Sequence, residues 1–184
     1  MNARRQVASS GGYTLIELLV TIAVLGAIAG VLGAALTIGE KTVSATNNRL
    51  AGSHDAQNLA TWLPADVQST GNGQSDVAIN STTDCSNIPN ALRLHWAVSE
   101  GAGTDDYVAA YAVVQVGSGW QLKRFYCKNG VQLATIVIAR NLANANAVST
   151  TVNGTRIAMT ITDATNSTDN VPYTFTVEGT RRTS

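Results

Sequence analysis

Charge is scarce in this sequence. Of its 184 residues only 13% are Asp, Glu, Lys or Arg, and twelve bases are cancelled by twelve acids; that share is about half the usual one. With no net positive charge there is no global field to draw in a polyanion, which excludes a nucleic-acid binder working through bulk electrostatics. No G-x-S-x-G, H-E-x-x-H, P-loop or dinucleotide fingerprint occurs, so neither an enzyme nor a cofactor is expected. His54 and His95 fall where a helix and a strand face water, and read as surface residues rather than ligands. Asp105-Asp106 and the stretch 163–169 lack EF-hand spacing and read as solvated loops. Two cysteines alone are a poor metal set, and no metal site is assigned. What is abundant instead is Ser, Thr, Asn and Gly, the balance of an exported protein.

The peculiarity of the chain lies in its first forty residues. Residues 1–12 are short and polar and carry Arg4 and Arg5 with no acid, whereas from Tyr13 to Ile38 the only charge is Glu17. A helix of that length reaches about 39 Å, enough for a hydrocarbon core of about 30 Å. No Pro interrupts it. Two arginines precede the span, and Glu40 and Lys41 cancel after it, so the positive-inside rule keeps Met1 in the cytoplasm and places everything after Gly39 outside.

A cleaved secretory signal has an apolar region of only 7 to 15 residues and is cut after it, so this span is too long for one. A plain signal anchor accounts for length and orientation but not for a carboxylate just inside the span. An acid at the centre of a membrane helix costs roughly 2.5 to 3.5 kcal/mol on insertion scales and is by default functional. Glu17 therefore calls for a cationic partner.

The stretch Gly11-Gly12-Tyr13-Thr14-Leu15-Ile16-Glu17-Leu18-Leu19-Val20 resembles the processing and assembly signal of type IV prepilins and of type II secretion pseudopilins: a short basic leader ending in Gly, an immediate apolar helix, and Glu as its fifth residue. In that family a membrane prepilin peptidase cuts after the Gly and methylates the new amino terminus. The resemblance implies scission between Gly12 and Tyr13, although Tyr13 departs from the usual Phe or Met. The amine created at Tyr13 is a cation, and subunits staggered along a filament would bring it near a neighbour's Glu17. Such a pair attracts strongly in low dielectric, and either charge left alone is costly, so it would act as a register device for assembly.

Gly26 and Gly30 form a GxxxG, and with Gly33 and nearby alanines they offer a surface for close helix packing, or are simply the small residues common in membrane helices. Beyond Gly39 the pattern predicts an amphipathic helix to about Ser69, with Val43, Leu50, Leu59, Trp62, Leu63 and Val67 on one face. Asn47, Asn48, Arg49, Asp55 and Gln57 stay wet on the other. Pro64 kinks it or opens a new turn.

The remainder reads as sheet. Asp76 to Asn80 is a short candidate strand, and Leu92, Leu94, Trp96 and Val98 alternate with Arg93, His95 and Ala97. Tyr107 to Val116, Trp120 to Cys127 and Val131 to Ile138 follow at hairpin spacing across Gly117-Ser118-Gly119 and Lys128-Asn129-Gly130. Thr155 to Thr162 and Tyr173 to Glu178 end the chain. The expected fold class is α+β: a long N-terminal helix, membrane-spanning in its first half, packed on a C-terminal antiparallel β-sheet domain. Its organisation is a leader peptide at 1–12, a transmembrane and filament-core helix at 13–39, an amphipathic helix at 40–70 and a β-rich head at 71–184. Cys85 and Cys127 both fall on the outside, where an oxidising compartment allows them to pair. A loop of that span would stabilise the fold by roughly 4 kcal/mol, the alternative being two separate thiols.

The order W-L-P-A-D-V (Trp62 to Val67), then L-R-L-H-W (Leu92 to Trp96), then L-K-R (Leu122 to Arg124) is similar to J-type minor pseudopilins and W-type minor pilins. That similarity implies a minor subunit in a priming or tip complex of a pilus or secretion pseudopilus. Its partners would be other pilins or pseudopilins, the prepilin peptidase, an inner-membrane assembly platform and, before assembly, membrane lipid. The competing readings are an extracytoplasmic binding module on an unprocessed anchor, and a tip pilin that binds a surface or DNA. For DNA the sequence offers only Arg181-Arg182 with Lys123, Arg124 and Lys128 as a small basic patch.

Overall fold

The computed structural model of the chain describes residues 12–71, 73–82, 85, 88–101, 103–163 and 172–182. Most of the leader and positions 164–169 of the acidic stretch lie outside the described residues. Two compact units divide the chain, Met1–Ser44 and Ala45–Ser184. One long helix, α1, spans Leu15–Ser69.

In the first unit every residue from Gly12 to Val43 is exposed. Leu, Ile and Ala supply helix propensity here and no Pro breaks the run. The hydroxyls present turn back onto the helix: Thr21 donates to the Glu17 carbonyl (2.6 Å), Thr37 to that of Ala34 (2.8 Å) and Thr42 to that of Ile38 (3.0 Å). Polar groups satisfied within the helix are what a hydrocarbon surrounding demands. The stretch Leu15–Val43 is long and apolar enough to cross a membrane, with a mean hydropathy of 2.5.

In the second unit α1 packs through Leu59, Leu63 and Val67, each fully buried. Their spacing of four puts them on one face. α1 passes through Pro64 as one element. Two expectations about this helix are corrected. Val43 and Leu50 are 60% and 69% exposed rather than part of the apolar face. Asp55, expected to be wet, is buried, because its Oδ2 accepts the Arg140 amide at 2.7 Å. Side-chain type alone does not say where the sheet reaches the helix.

The strands are β1 (Val77–Ala78), β2 (Ser81–Thr82), β3 (Pro89–Glu100), β4 (Gly103–Val116), β5 (Gly119–Lys128), β6 (Val131–Leu142), β7 (Val148–Asn153), β8 (Arg156–Thr162) and β9 (Thr174–Thr180). The larger sheet runs β1-β3-β4-β5-β6 with β2 beside β3, and the smaller is β7-β8-β9. All pairs are antiparallel, and the architecture is α+β as expected. The candidate strand 76–80 shrinks to β1, preceded by a 3-10 turn at Gln74–Asp76. β7 has no counterpart in the sequence reading, since V-S-T-T-V-N does not alternate apolar with polar cleanly.

Alternation is kept where both faces are covered. Leu92 and Leu94 of β3, Ala109 and Tyr111 of β4 and Leu122 of β5 join the α1 stripe together with Ile157, Met159 and Ile161 of β8. The intervening Ala110, Ala112, Phe125 and Cys127 form a smaller cluster on the other side, with Cys85. Asn129 and Gly130 take φ of 50° and 77° at the β5–β6 turn. That is the paired left-handed conformation for which Asn-Gly is suited.

Cys85 and Cys127 are bonded, with Cα atoms 5.9 Å apart. The bridge ties the turn after β2 to the end of β5, a separation of 42 residues. Reduction is expected to lower unfolding free energy by about 2 to 4 kcal/mol. Denaturant titrations with and without reductant measure this, and an identical midpoint would contradict a structural role for the bridge.

Candidate functional site

The N-terminal segment was singled out for Gly12, Tyr13 and Glu17. Gly12, Tyr13 and Thr14 precede the helix, and Tyr13 is 85% exposed. The Glu17 amide donates to the Thr14 carbonyl at 3.1 Å and lies 3.4 Å from its hydroxyl, while the Leu18 amide reaches the same carbonyl at 3.2 Å. Thr14 thus sits at the helix start with Glu17 three residues on, in the T-x-x-E order of a capping box. The pattern was available in the sequence and its meaning for Glu17 was missed. A first-turn carboxylate lies at the positive end of the helix dipole, worth about 0.3 to 1 kcal/mol when exposed. Among the described residues no cation of the chain pairs with Glu17. At Gly26, Gly30 and Gly33 an added Cβ would meet nothing within 4 Å, so among the described residues nothing packs against this row.

The head contains a second constellation. Asp66 of α1, 5% exposed, receives Arg124 Nε on Oδ2 and a second guanidinium nitrogen on Oδ1, both at 2.6 Å. The Tyr111 hydroxyl donates to Oδ2, also at 2.6 Å. The guanidinium lies over the rings of Trp62 (4.7 Å) and Tyr126 (4.9 Å). Burial, and then the Asp66 charge, push the Tyr111 hydroxyl well above its ordinary pKa, so it stays a donor. Asp66 was quoted only inside W-L-P-A-D-V and Arg124 only inside L-K-R; the fold joins them.

This arrangement corrects the basic patch. Arg124 is buried and spent on Asp66. Lys128 holds Asp105 at 2.7 Å, a contact that raises the lysine's pKa and lowers that of Asp105. Arg181 donates to the carbonyls of Gly71, Gly73 and Gly154. His95 is also more than a surface residue: half-buried, it lies 3.0 Å from Asp76 and 3.4 Å from Asp106, linking the 3-10 turn to β3 and β4. Asp105 belongs to β4 and bonds Asn129 at 2.8 Å instead of forming a loop. Among the described residues no group of three or more His, Cys, Asp or Glu is arranged to hold a metal.

Asp163 closes β8 against α1. It is 8% exposed, and its Oδ1 has no hydrogen-bond partner. Its Oδ2 would lie 2.9 Å from a Cβ at Gly52, a position also crowded by the Tyr173 ring. Burial and, second, the charge of Asp55 raise its pKa to about 6.

The N-terminal stretch matches a family model, the prokaryotic N-terminal methylation motif, over residues 8–33. No curated protein and no solved structure matches the chain.

Two outcomes are expected from the head. Asp66→Ala should cost about 3 to 5 kcal/mol by stranding a buried guanidinium. The double variant Asp66→Leu with Arg124→Met should recover most of that in chemical denaturation, and equal loss in both would contradict the assignment. For Asp163 the folded pKa lies above the unfolded one, so the folded chain holds a proton that the unfolded chain releases. This contribution favours folding below about pH 4 and is lost as pH rises through about 6. Asp163→Asn should flatten that fall in melts taken from pH 4 to 7; an unaltered pH profile would count against it.

Proposed function

We propose that this chain, whose methylation motif is that of type IV pilin and pseudopilin precursors, is cut between Gly12 and Tyr13, methylated at Tyr13 and assembled through α1 into a pilus or secretion pseudopilus. It is a structural subunit rather than an enzyme. Before processing, the N terminus lies in the cytoplasm, α1 spans the cytoplasmic membrane, and the head is periplasmic or extracellular. The observation that carries this reading is Glu17: a carboxylate in the first turn of an exposed apolar helix, five residues past Gly12, with no cation of its own chain among the described residues. The amine freed at a neighbour's Tyr13 supplies the missing charge, and Gly26, Gly30 and Gly33 let adjacent helices approach.

We assign the subunit a minor role, in a priming or tip complex with other pilins or pseudopilins. The support is the resemblance carried by the segments around Trp62, Leu92 and Leu122. The surfaces facing the prepilin peptidase and the assembly platform follow from the same N-terminal segment.

Intact-mass measurement of the native chain should give a first residue of N-methylated Tyr13, and retention of Met1 with Arg4 and Arg5 would leave a plain anchor. Glu17 also supports its own helix start, so the informative variant is Glu17→Gln, which removes the charge while keeping a residue suited to that position. Its incorporation into filaments should drop at least about tenfold while membrane insertion is kept; one lost ion pair of 1.4 kcal/mol or more suffices for that. Unchanged incorporation would end the charge-pairing account.

A further inference from the structure

Three Asn-Gly pairs occur in the chain, at 72–73, 129–130 and 153–154. In this dipeptide a side chain lies open to its own backbone: the Gly amide nitrogen can reach the Asn Cγ in a five-membered ring, and Gly has no Cβ to block the approach. Asn72 lies outside the described residues, and the other two pairs occupy hairpin turns of different build. Asn129 is tied down. Its Oδ1 accepts the Asp106 amide at 2.8 Å, its Nδ2 donates to Asp105 Oδ1 at 2.8 Å, and its own amide donates to the Asp106 carbonyl at 2.7 Å. Turning that carboxamide means giving up two hydrogen bonds, one of them to a carboxylate. Asn153 instead ends β7 opposite Arg156, and Gly154, with φ of 59°, is the first residue of the two-residue turn into β8. Both are exposed, and among the described residues neither the Asn153 carboxamide nor the Gly154 amide has a hydrogen-bond partner.

We propose that Asn153 is a site of spontaneous covalent modification, at which the main chain closes on the side chain and water reopens it as aspartate or isoaspartate. The Gly154 nitrogen gives up its proton and bonds to Asn153 Cγ. The Cγ–Nδ2 bond breaks, and Nδ2 leaves with that proton as ammonia. One water then opens the cyclic imide, its hydroxyl going to a carbonyl carbon and its remaining hydrogen to the ring nitrogen. Opening at Cγ leaves aspartate, and opening at the main-chain carbonyl leaves isoaspartate. The sum is one water consumed and one ammonia released, with no change of oxidation state. Isoaspartate also adds a carbon to the main chain beside a turn that Arg181 holds from outside. The Arg181 amide donates to the Thr155 carbonyl at 2.8 Å and its Nη2 to the Gly154 carbonyl at 3.0 Å, while its Nη1 reaches the Gly71 carbonyl at 3.3 Å, just past the end of α1. The modified turn moves the two carbonyls that Arg181 holds there and loosens its tie to the end of α1. The inference uses the head alone and stands apart from the pilin reading.

The test keeps the full, unsubstituted chain in detergent micelles at mildly alkaline pH with Cys85–Cys127 intact, and follows aspartate and isoaspartate at each position by peptide mapping over time. Product should accumulate at least about ten times faster at Asn153 than at Asn129, the ratio that about 1.4 kcal/mod in a barrier produces. Equal rates, a faster Asn129 or no product at Asn153 overturns the proposal. Asp105→Ala removes one of the two bonds holding the Asn129 carboxamide and should speed the reaction at Asn129 alone. No rise there, or an equal rise at Asn153, shows that those bonds do not separate the two sites and overturns it equally. In hydrogen exchange, the Arg181 amide should exchange faster in chains carrying isoaspartate at 153 than in the fresh chain, and unaltered exchange overturns the loosening.

Discussion

The guanidinium of Arg124 has been taken out of water, and its counter-charge sits on a different element, 58 residues away at Asp66 of α1. Removing two such ions from water costs several kcal/mol each, and their attraction offsets this only when the geometry is close and the remaining polar atoms are satisfied. Both conditions hold. Two 2.6 Å contacts join guanidinium and carboxylate, Tyr111 donates to the same carboxylate, and the cation lies over the rings of Trp62 and Tyr126. Leu59, Leu63 and Val67 would bury comparable area if α1 slid or rolled slightly, whereas a bidentate pair would not survive a rotation of one residue, about 100° in a helix. The pair therefore specifies how α1 lies on β4 and β5, and the apolar stripe supplies most of the burial.

α1 thus carries carboxylates in contrasting circumstances. Asp66 is completed by the chain itself. Asp55 takes the Arg140 amide on one oxygen and has His54 3.8 Å from the other, and its charge acts on the buried Asp163. Glu17 is exposed in the first turn of the helix and has no cationic partner among the described residues. Burial without a cation pushes Asp163 toward the protonated form, while Glu17 stays exposed.

Legibility followed the range of the interaction. The Gly11-Gly12-Tyr13 signal, the alternation from Leu92 to Trp96 and the Asn129-Gly130 turn are local patterns, and each could be read because a few neighbouring residues determine it. β7 escaped because its Ser and Thr residues carry no strong alternation and it becomes a strand by pairing with β8. Asp55 was misassigned to water because nothing near it announces that the Arg140 amide will arrive. Arg124 and Lys128 looked like members of a basic patch when only their spacing was known; in the fold, Asp66 and Asp105 neutralise them. The capping order Thr14-x-x-Glu17 was present and local, and it places an acidic residue in the first turn of the helix.

By itself the sequence determined the helix, its apolar first half, the methylation motif and most of the strands, since periodicity and turn chemistry act over a few residues. Tertiary structure decided which charges are buried and which thiols meet. Those outcomes depend on long-range closure, which brings together groups whose identity in the chain gives no hint of their distance in space.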